Sequence, residues 1–161
     1  MMTEDKRALY FERMEKIIKE HGWMVQAVFP TTDDPDQYSF QYTIGLHDRA
    51  LPELVSTGLP GEVGHALLNE VVGVVTKRIE AGLPLLGKIE VEDWSTSFYL
   101  LPADPDRAQE LATAARNRSQ GQAAYLQVCW PSQDGLFPWE PGASDEYRQA
   151  QPLLGNPVFY N

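Results

Sequence analysis

The sequence predicts an α+β domain, a mainly antiparallel sheet with helices packed on it, in the order α-β-β-β-α-β-β-α-β. Three observations carry this. Strand-like segments follow one another without an intervening helix, which points to hairpins. Three longer segments have a helical apolar period and recognisable end signals. The chain has 161 residues, 43% hydrophobic and 22% charged, which suits one ordinary globular domain with a sizeable core over residues 1–161. No repeat, low-complexity segment or linker interrupts it.

Each element has its own reason. Residues 3–21 read as a helix: Thr3 is an N-cap, Glu4 and Asp5 sit in the positive first turn, and Lys19 and His21 suit the negative end. Tyr10, Met14, Ile17 and Ile18 make its apolar stripe, and Gly22 takes the C-terminal cap. "WMVQAVF" (23–29) reads as a strand and "PTTDDPDQ" (30–37) as a hairpin turn. "YSFQYTI" (38–44) alternates, with Tyr38, Phe40, Tyr42 and Ile44 on one face and Ser39, Gln41 and Thr43 on the other. That contrast predicts one packed side and one more polar side. "PELVSTGL" (52–59) is a short third strand.

Residues 60–81 read as a helix with Val63, Leu67, Val71, Val74 and Ile79 buried and Leu68, Val72 and Val75 widening the stripe. Gly64 and Gly73 weaken it by roughly 1 kcal/mol each relative to Ala, which points to close backbone packing. Residues 87–93 and 96–102 read as strands joined at Trp94 and Ser95. Residues 103–119 read as one helix, capped by Asp104 with Pro105 in the first turn. "AAYLQVCW" (123–130) is the last strand. The chain after Gly142 reads as irregular, yet "QPLLGNPVFY" is apolar enough to lie across the body.

The formal net charge is -10. Such a chain is repelled by phosphate backbones, and no Lys/Arg run with interleaved aromatics offsets this, so direct nucleic-acid binding is unfavoured. A cationic protein partner fits the charge better, and a homodimer is compatible with it. Cys129 is the single cysteine, which rules out an internal disulfide and suggests a reducing compartment. The N-terminus lacks a signal-peptide pattern, and no apolar run approaches the roughly 20 residues needed to cross a bilayer. A cytoplasmic protein without a membrane segment is expected.

Short catalytic motifs are missing: no glycine-rich phosphate loop, G-x-S-x-G, C-x-x-C or H-E-x-x-H occurs. No cofactor is implied. His47 could join Asp48, Glu53 or His65 in a metal site, but it reads more simply as a loop residue, with His65 on a helix surface and His21 at a helix end. Cys129 lies in a predicted strand and reads as a buried, inert thiol. Asp33, Asp34 and Asp36 lack the Gly and distal Glu of a calcium loop and read as a solvated hairpin tip. Glu90 and Glu92 read as an exposed strand face. "CWPSQDGLFPWE" is different, because Asp134-Gly135 is a strong turn signal between Trp130-Pro131 and Pro138-Trp139. The turn can fold the two indoles together, either as a lid on the core or as a pocket wall.

"YTIGL", "PELVSTGL", "ALLNEVV", "LQVCWPSQDGLFPWE" and "QPLLG" occur in that order between about Gly22 and Gly155. Together they resemble the uncharacterised domain-of-unknown-function family 4262 of bacteria, notably actinobacteria, and some of their phages. The resemblance is compatible with a phage or mobile-element setting, where the partner would be a host protein, and it implies no particular reaction. Where that family commonly has His-Pro-Glu-Leu, this chain has Leu51-Pro52-Glu53-Leu54, and His47 is the nearby histidine. A fainter likeness over residues 42–101, to suppressor-of-fused-like domains, implies an α+β protein-interaction domain.

The family pattern matches at Tyr42, Thr43, Gly45, Glu53, Asn69, Gln127, Trp130, Trp139, Glu140 and Gln151. These residues either stitch loops through buried hydrogen bonds or line a shared small-molecule site. Two functions follow. The first is a non-catalytic protein-interaction or ligand-binding module gripping its partner at the Trp130/Trp139 corner. The second is an enzyme of unrecognised type, with Glu53 or Glu140 as acid–base group and Tyr42 and Gln127 orienting the substrate. The second requires the matched polar residues to converge on one cavity.

Overall fold

The helix ends follow the capping chemistry. The structure, a computed structural model, describes residues 3–30 and 37–157. Helix α1 (Glu4–His21) starts where the Thr3 hydroxyl accepts from the Lys6 N–H at 3.2 Å and ends where the Gly22 N–H closes on the Ile18 carbonyl. Strands β1 (Met24–Val28) and β2 (Phe40–Ile44) pair as the expected antiparallel hairpin. The acidic tip at Asp33, Asp34 and Asp36 lies outside the described residues. A 3-10 turn (Leu46–Arg49) leads to β3 (Glu53–Thr57), then α2 (Gly61–Glu80), β4 (Gly87–Glu90) and β5 (Ser97–Pro102). Helices α3 (Pro105–Leu111) and α4 (Thr113–Ser119), strand β6 (Tyr125–Cys129) and α5 (Asp145–Ala150) complete the order.

The sheet order is β1-β2-β3-β6-β5-β4. Every neighbouring pair is antiparallel except β3 and β6. The α+β class and the predicted sequence of elements hold. No helix among the described residues is long and apolar enough to cross a membrane.

Both faces of the sheet are covered, contrary to the expectation of a polar side. Gln41 and Thr43 are fully buried beneath α2, where they meet other polar groups instead of water. The Gln41 amide accepts from the Ser56 hydroxyl at 2.6 Å and donates to the Leu59 carbonyl at 3.2 Å. A helix can sit this close because Gly64 faces Gln41: a Cβ there would lie 1.9 Å from Gln41 Oε1. Gly73, by contrast, faces open space.

The α2 side of the core joins Leu67, Leu68, Val71, Val72 and Val75 to Leu54, Leu100 and Val128 of the sheet. Val63 and Ile79, expected to be buried, are instead 38% and 42% exposed. Turning Gly64 onto the sheet carries those two positions outward. The other side joins Met14 and Ile18 of α1 to Tyr42, Ile44, Val55, Ala108, Ala115 and Leu154. Leu51 also packs into the α2-side core.

Two further differences have local causes. The predicted helix over 103–119 breaks at Ala112, whose φ of -85° and ψ of 59° are not helical. The Tyr42 hydroxyl accepts from the Ala114 N–H at 3.3 Å, so a partner from β2 serves the second helix where its first turn begins. The segment after Gly142 contains α5, capped by the Ser144 hydroxyl accepting from the Tyr147 N–H.

Candidate functional site

Glu53 opens β3 and is 1% exposed. Its carboxylate accepts from the Thr43 hydroxyl at 2.8 Å and from the N–H groups of Gly45, Leu46 and His47 at 3.0, 3.1 and 3.3 Å. Thr43 in turn accepts from the Leu54 N–H at 2.8 Å. Burial pushes the Glu53 carboxyl above its ordinary range, and these donors pull it back. The network spans the turn between β2 and β3 and occupies both carboxylate oxygens.

Two glutamines perform a similar task at the other end of β6. Gln127 is fully buried. Its amide donates to the Pro152 carbonyl at 2.9 Å and the Thr57 hydroxyl at 3.1 Å, and accepts from the Leu154 N–H at 2.8 Å. Gln151 mirrors it: it accepts from the Trp130 N–H at 2.9 Å and donates to the Trp130 carbonyl at 2.8 Å. Each primary amide pairs with a donor and an acceptor of the opposing backbone, as a neighbouring strand would. The Thr57 hydroxyl also donates to the Pro152 carbonyl at 2.8 Å. The C-terminal segment is thereby fastened over the sheet, as expected for "QPLLGNPVFY" up to residue 157; its residues 158–160 lie outside the described residues. At Gly58, with φ +83°, an added Cβ would meet the Ala150 carbonyl at 2.0 Å, so only glycine fits under this segment.

The aromatic corner divides. The Asp134-Gly135 bend forms as read, with the Gly135 N–H donating to the Ser132 carbonyl and the Ser132 N–H to the Leu136 carbonyl. The Trp130 indole donates to the Thr57 carbonyl at 2.8 Å, and its ring meets Tyr147 at 5.3 Å, nearly perpendicular. Trp139 stacks on Phe137 at 5.2 Å and meets the edge of Tyr99 at 4.9 Å, in a separate small cluster with Leu101 and Cys129. Both indoles therefore cover core, against different neighbours. Glu140 is half-buried, and its backbone carbonyl accepts from the Arg148 guanidinium at 3.1 Å.

Glu53 pairs with Tyr125 at the start of β6. Glu140 lies beyond the far end of β6, beside the Phe137 cluster that packs on Cys129. The two residues lie toward opposite ends of the strand, and neither lines the three cavities described next. Tyr42, Asn69 and Trp130 line three different cavities, of about 340, 490 and 480 Å³. Asn69 accepts from the Trp23 indole at 2.8 Å.

Among the described residues no group of three or more His, Cys, Asp or Glu is placed to hold a metal ion. His47 uses its backbone N–H on Glu53, whereas His65 and His21 line one cavity. Cys129 is fully buried, and burial drives its thiol far above the ordinary range. Glu90 accepts from the Ser97 hydroxyl at the exposed edge of the sheet. The Tyr125 hydroxyl is buried with no hydrogen-bond partner of good geometry among the described residues, and burial pushes it up to about 12.

The family model described as Domain of unknown function (DUF4262) matches residues 17–144. The chain belongs to this family. No curated protein and no solved structure matches it. The DUF4262 span contains Glu53, Asn69, Gln127, Trp130, Trp139 and Glu140 and stops at Ser144, the cap of α5. Gln151, Glu146 and Tyr147 of this DUF4262 protein come from beyond that span.

The cavity of about 480 Å³ is walled by Trp130 and Tyr147, with Asp134 and Glu146 among its lining residues and no Lys, Arg or His. Tyr147 and Glu146 escape the sequence reading, although Ser144 followed by Asp145 and Glu146 is a helix-start signal. The Tyr147 hydroxyl donates to the Trp130 carbonyl at 2.5 Å, which fixes one wall of the cavity to the other.

Proposed function

We propose that this DUF4262 protein is a non-catalytic interaction module that receives a Lys or Arg side chain of a protein partner in the cavity lined by Trp130, Tyr147, Asp134 and Glu146. The observation that carries the reading is the composition of that cavity: two aromatic walls, two carboxylates and no base. A cation over an aromatic face gains about 0.5–2 kcal/mol, more as water is excluded, and a carboxylate adds a charge-assisted bond. The net charge of -10 draws a basic partner in from a distance. Glu53 spends both carboxylate oxygens on the chain itself, which disfavours it as the acid–base group of an enzyme.

Isothermal titration with octa-arginine and octa-lysine tests this. Asp134 and Glu146 are exposed, so D134N/E146Q is expected to fold as the parent does. Binding by the parent should weaken with salt, and D134N/E146Q should bind about tenfold more weakly. The control E80Q/E92Q removes the same charge from exposed sites on α2 and the β4–β5 turn and should lose little. Equal losses in the two double variants would mean that only diffuse charge attracts the peptide. No binding by the parent would sink the proposal outright.

A further inference from the structure

A second cavity, of about 490 Å³, lies between α1, β1 and α2, with an apolar wall of Ile17, Met24 and Val25. Its polar side is set by a chain of donors. An indole N–H can only donate, so the Trp23–Asn69 contact at 2.8 Å fixes the Asn69 oxygen toward Trp23. The Asn69 nitrogen then faces His65 Nδ1 at 3.3 Å, and an amide nitrogen also only donates. Nδ1 of His65 is therefore the acceptor, and its neutral ring carries the hydrogen on Nε2.

What His65 and Asn69 leave to meet a ligand is a donor, because Asn69 spends its oxygen on Trp23 and points its nitrogen at His65. His21 also lines the cavity, and among the described residues no Asp or Glu does. The Arg49 guanidinium lies 5.8 Å from the centre of the Trp23 ring and has no carboxylate partner among the described residues. In a chain with 23 acidic and 13 basic residues, a guanidinium left without an acid beside an aromatic cavity marks a locally anion-favouring place.

We propose that this cavity binds a small planar carboxylate. The ring of the ligand lies against Trp23 and the apolar wall, its carboxylate accepts from His65 Nε2–H, and Arg49 supplies favourable charge. The site is independent of the Trp130–Tyr147 cavity and does not rest on the cationic-partner reading. Asn69 is a positioning residue here, acting through His65.

Nuclear magnetic resonance titration with benzoate and indole-3-carboxylate, followed at the Trp23 indole N–H, tests it. Benzamide and indole-3-carboxamide serve as neutral counterparts. At least one carboxylate should move the Trp23 resonance saturably, with its amide about tenfold weaker. His65 is exposed, so H65A is expected to fold, and it should weaken the carboxylate about tenfold. H65Q, which keeps a donor near the Nε2 position, should recover part of that loss. No saturable shift with either carboxylate, equal binding of the amides, or unchanged affinity in H65A would each overturn the proposal.

Discussion

Replacing Glu53 with alanine is expected to lower the unfolding free energy by about 3–5 kcal/mol, the largest effect of any single polar substitution in the molecule. The reason is the number of donors that share its carboxylate. Three backbone N–H groups and the Thr43 hydroxyl would lose their acceptor at once. An unsatisfied buried donor costs about 1–3 kcal/mol, and water can relieve only part of this at a residue 1% exposed. E53Q should fall between the two: its oxygen still accepts, but its amide nitrogen faces donors. Urea unfolding of the three proteins checks the order, and a loss below about 1 kcal/mol in E53A would contradict this role.

The second large effect is expected at the paired glutamines. Q151L keeps much of the side-chain volume but leaves the Trp130 N–H unpaired and its carbonyl with the Tyr147 hydroxyl alone, at an expected cost of about 1–3 kcal/mol. Q127L should cost a similar amount, because Pro152, Leu154 and Thr57 all use that amide. The double variant should cost less than the sum of the two, since both glutamines hold one segment to one strand. Additive losses in urea unfolding would show two independent contacts instead. Q151L should also weaken octa-arginine binding, because Gln151 donates to the Tyr147 hydroxyl at 3.2 Å and so braces both cavity walls.

The sheet and its helices were legible because apolar period and capping chemistry act locally. Thr3, Gly22 and Asp104 end or begin helices in the structure as their neighbours in sequence require. The break at Ala112 was not legible, since the group that serves the first turn after it is the hydroxyl of Tyr42, 72 residues from Ala114. The burial of Gln41 and Thr43 was hidden for a related reason. Polar side chains that satisfy one another can lie under a helix, and alternation alone reports polarity rather than exposure. The short helix α5 carried a readable cap at Ser144 that the Pro- and Gly-rich surroundings obscured.

The candidate site divided along the same line. The candidate residues were visible in the sequence, and the Asp134-Gly135 bend formed. What could not be read was the partner of each polar group, which decides whether it binds a ligand or the chain itself. Glu53, Gln127 and Gln151 find backbone donors and acceptors, whereas the acids near Trp130 do not enclose themselves in this way. The Trp130–Tyr147 pairing needed α5, and the Trp23–Asn69–His65 chain needed β1 brought beside α2.

Native-state hydrogen exchange tests most directly whether these buried polar side chains hold the molecule together. The amides of Gly45, Leu46, Trp130 and Leu154 each donate to a side chain of Glu53, Gln151 or Gln127. They should exchange as slowly as the amides of β3 and β6, opening only with the whole sheet. Exchange of these four amides on the timescale of surface loops would contradict the account and return Glu53, Gln127 and Gln151 to the groups free to meet a ligand.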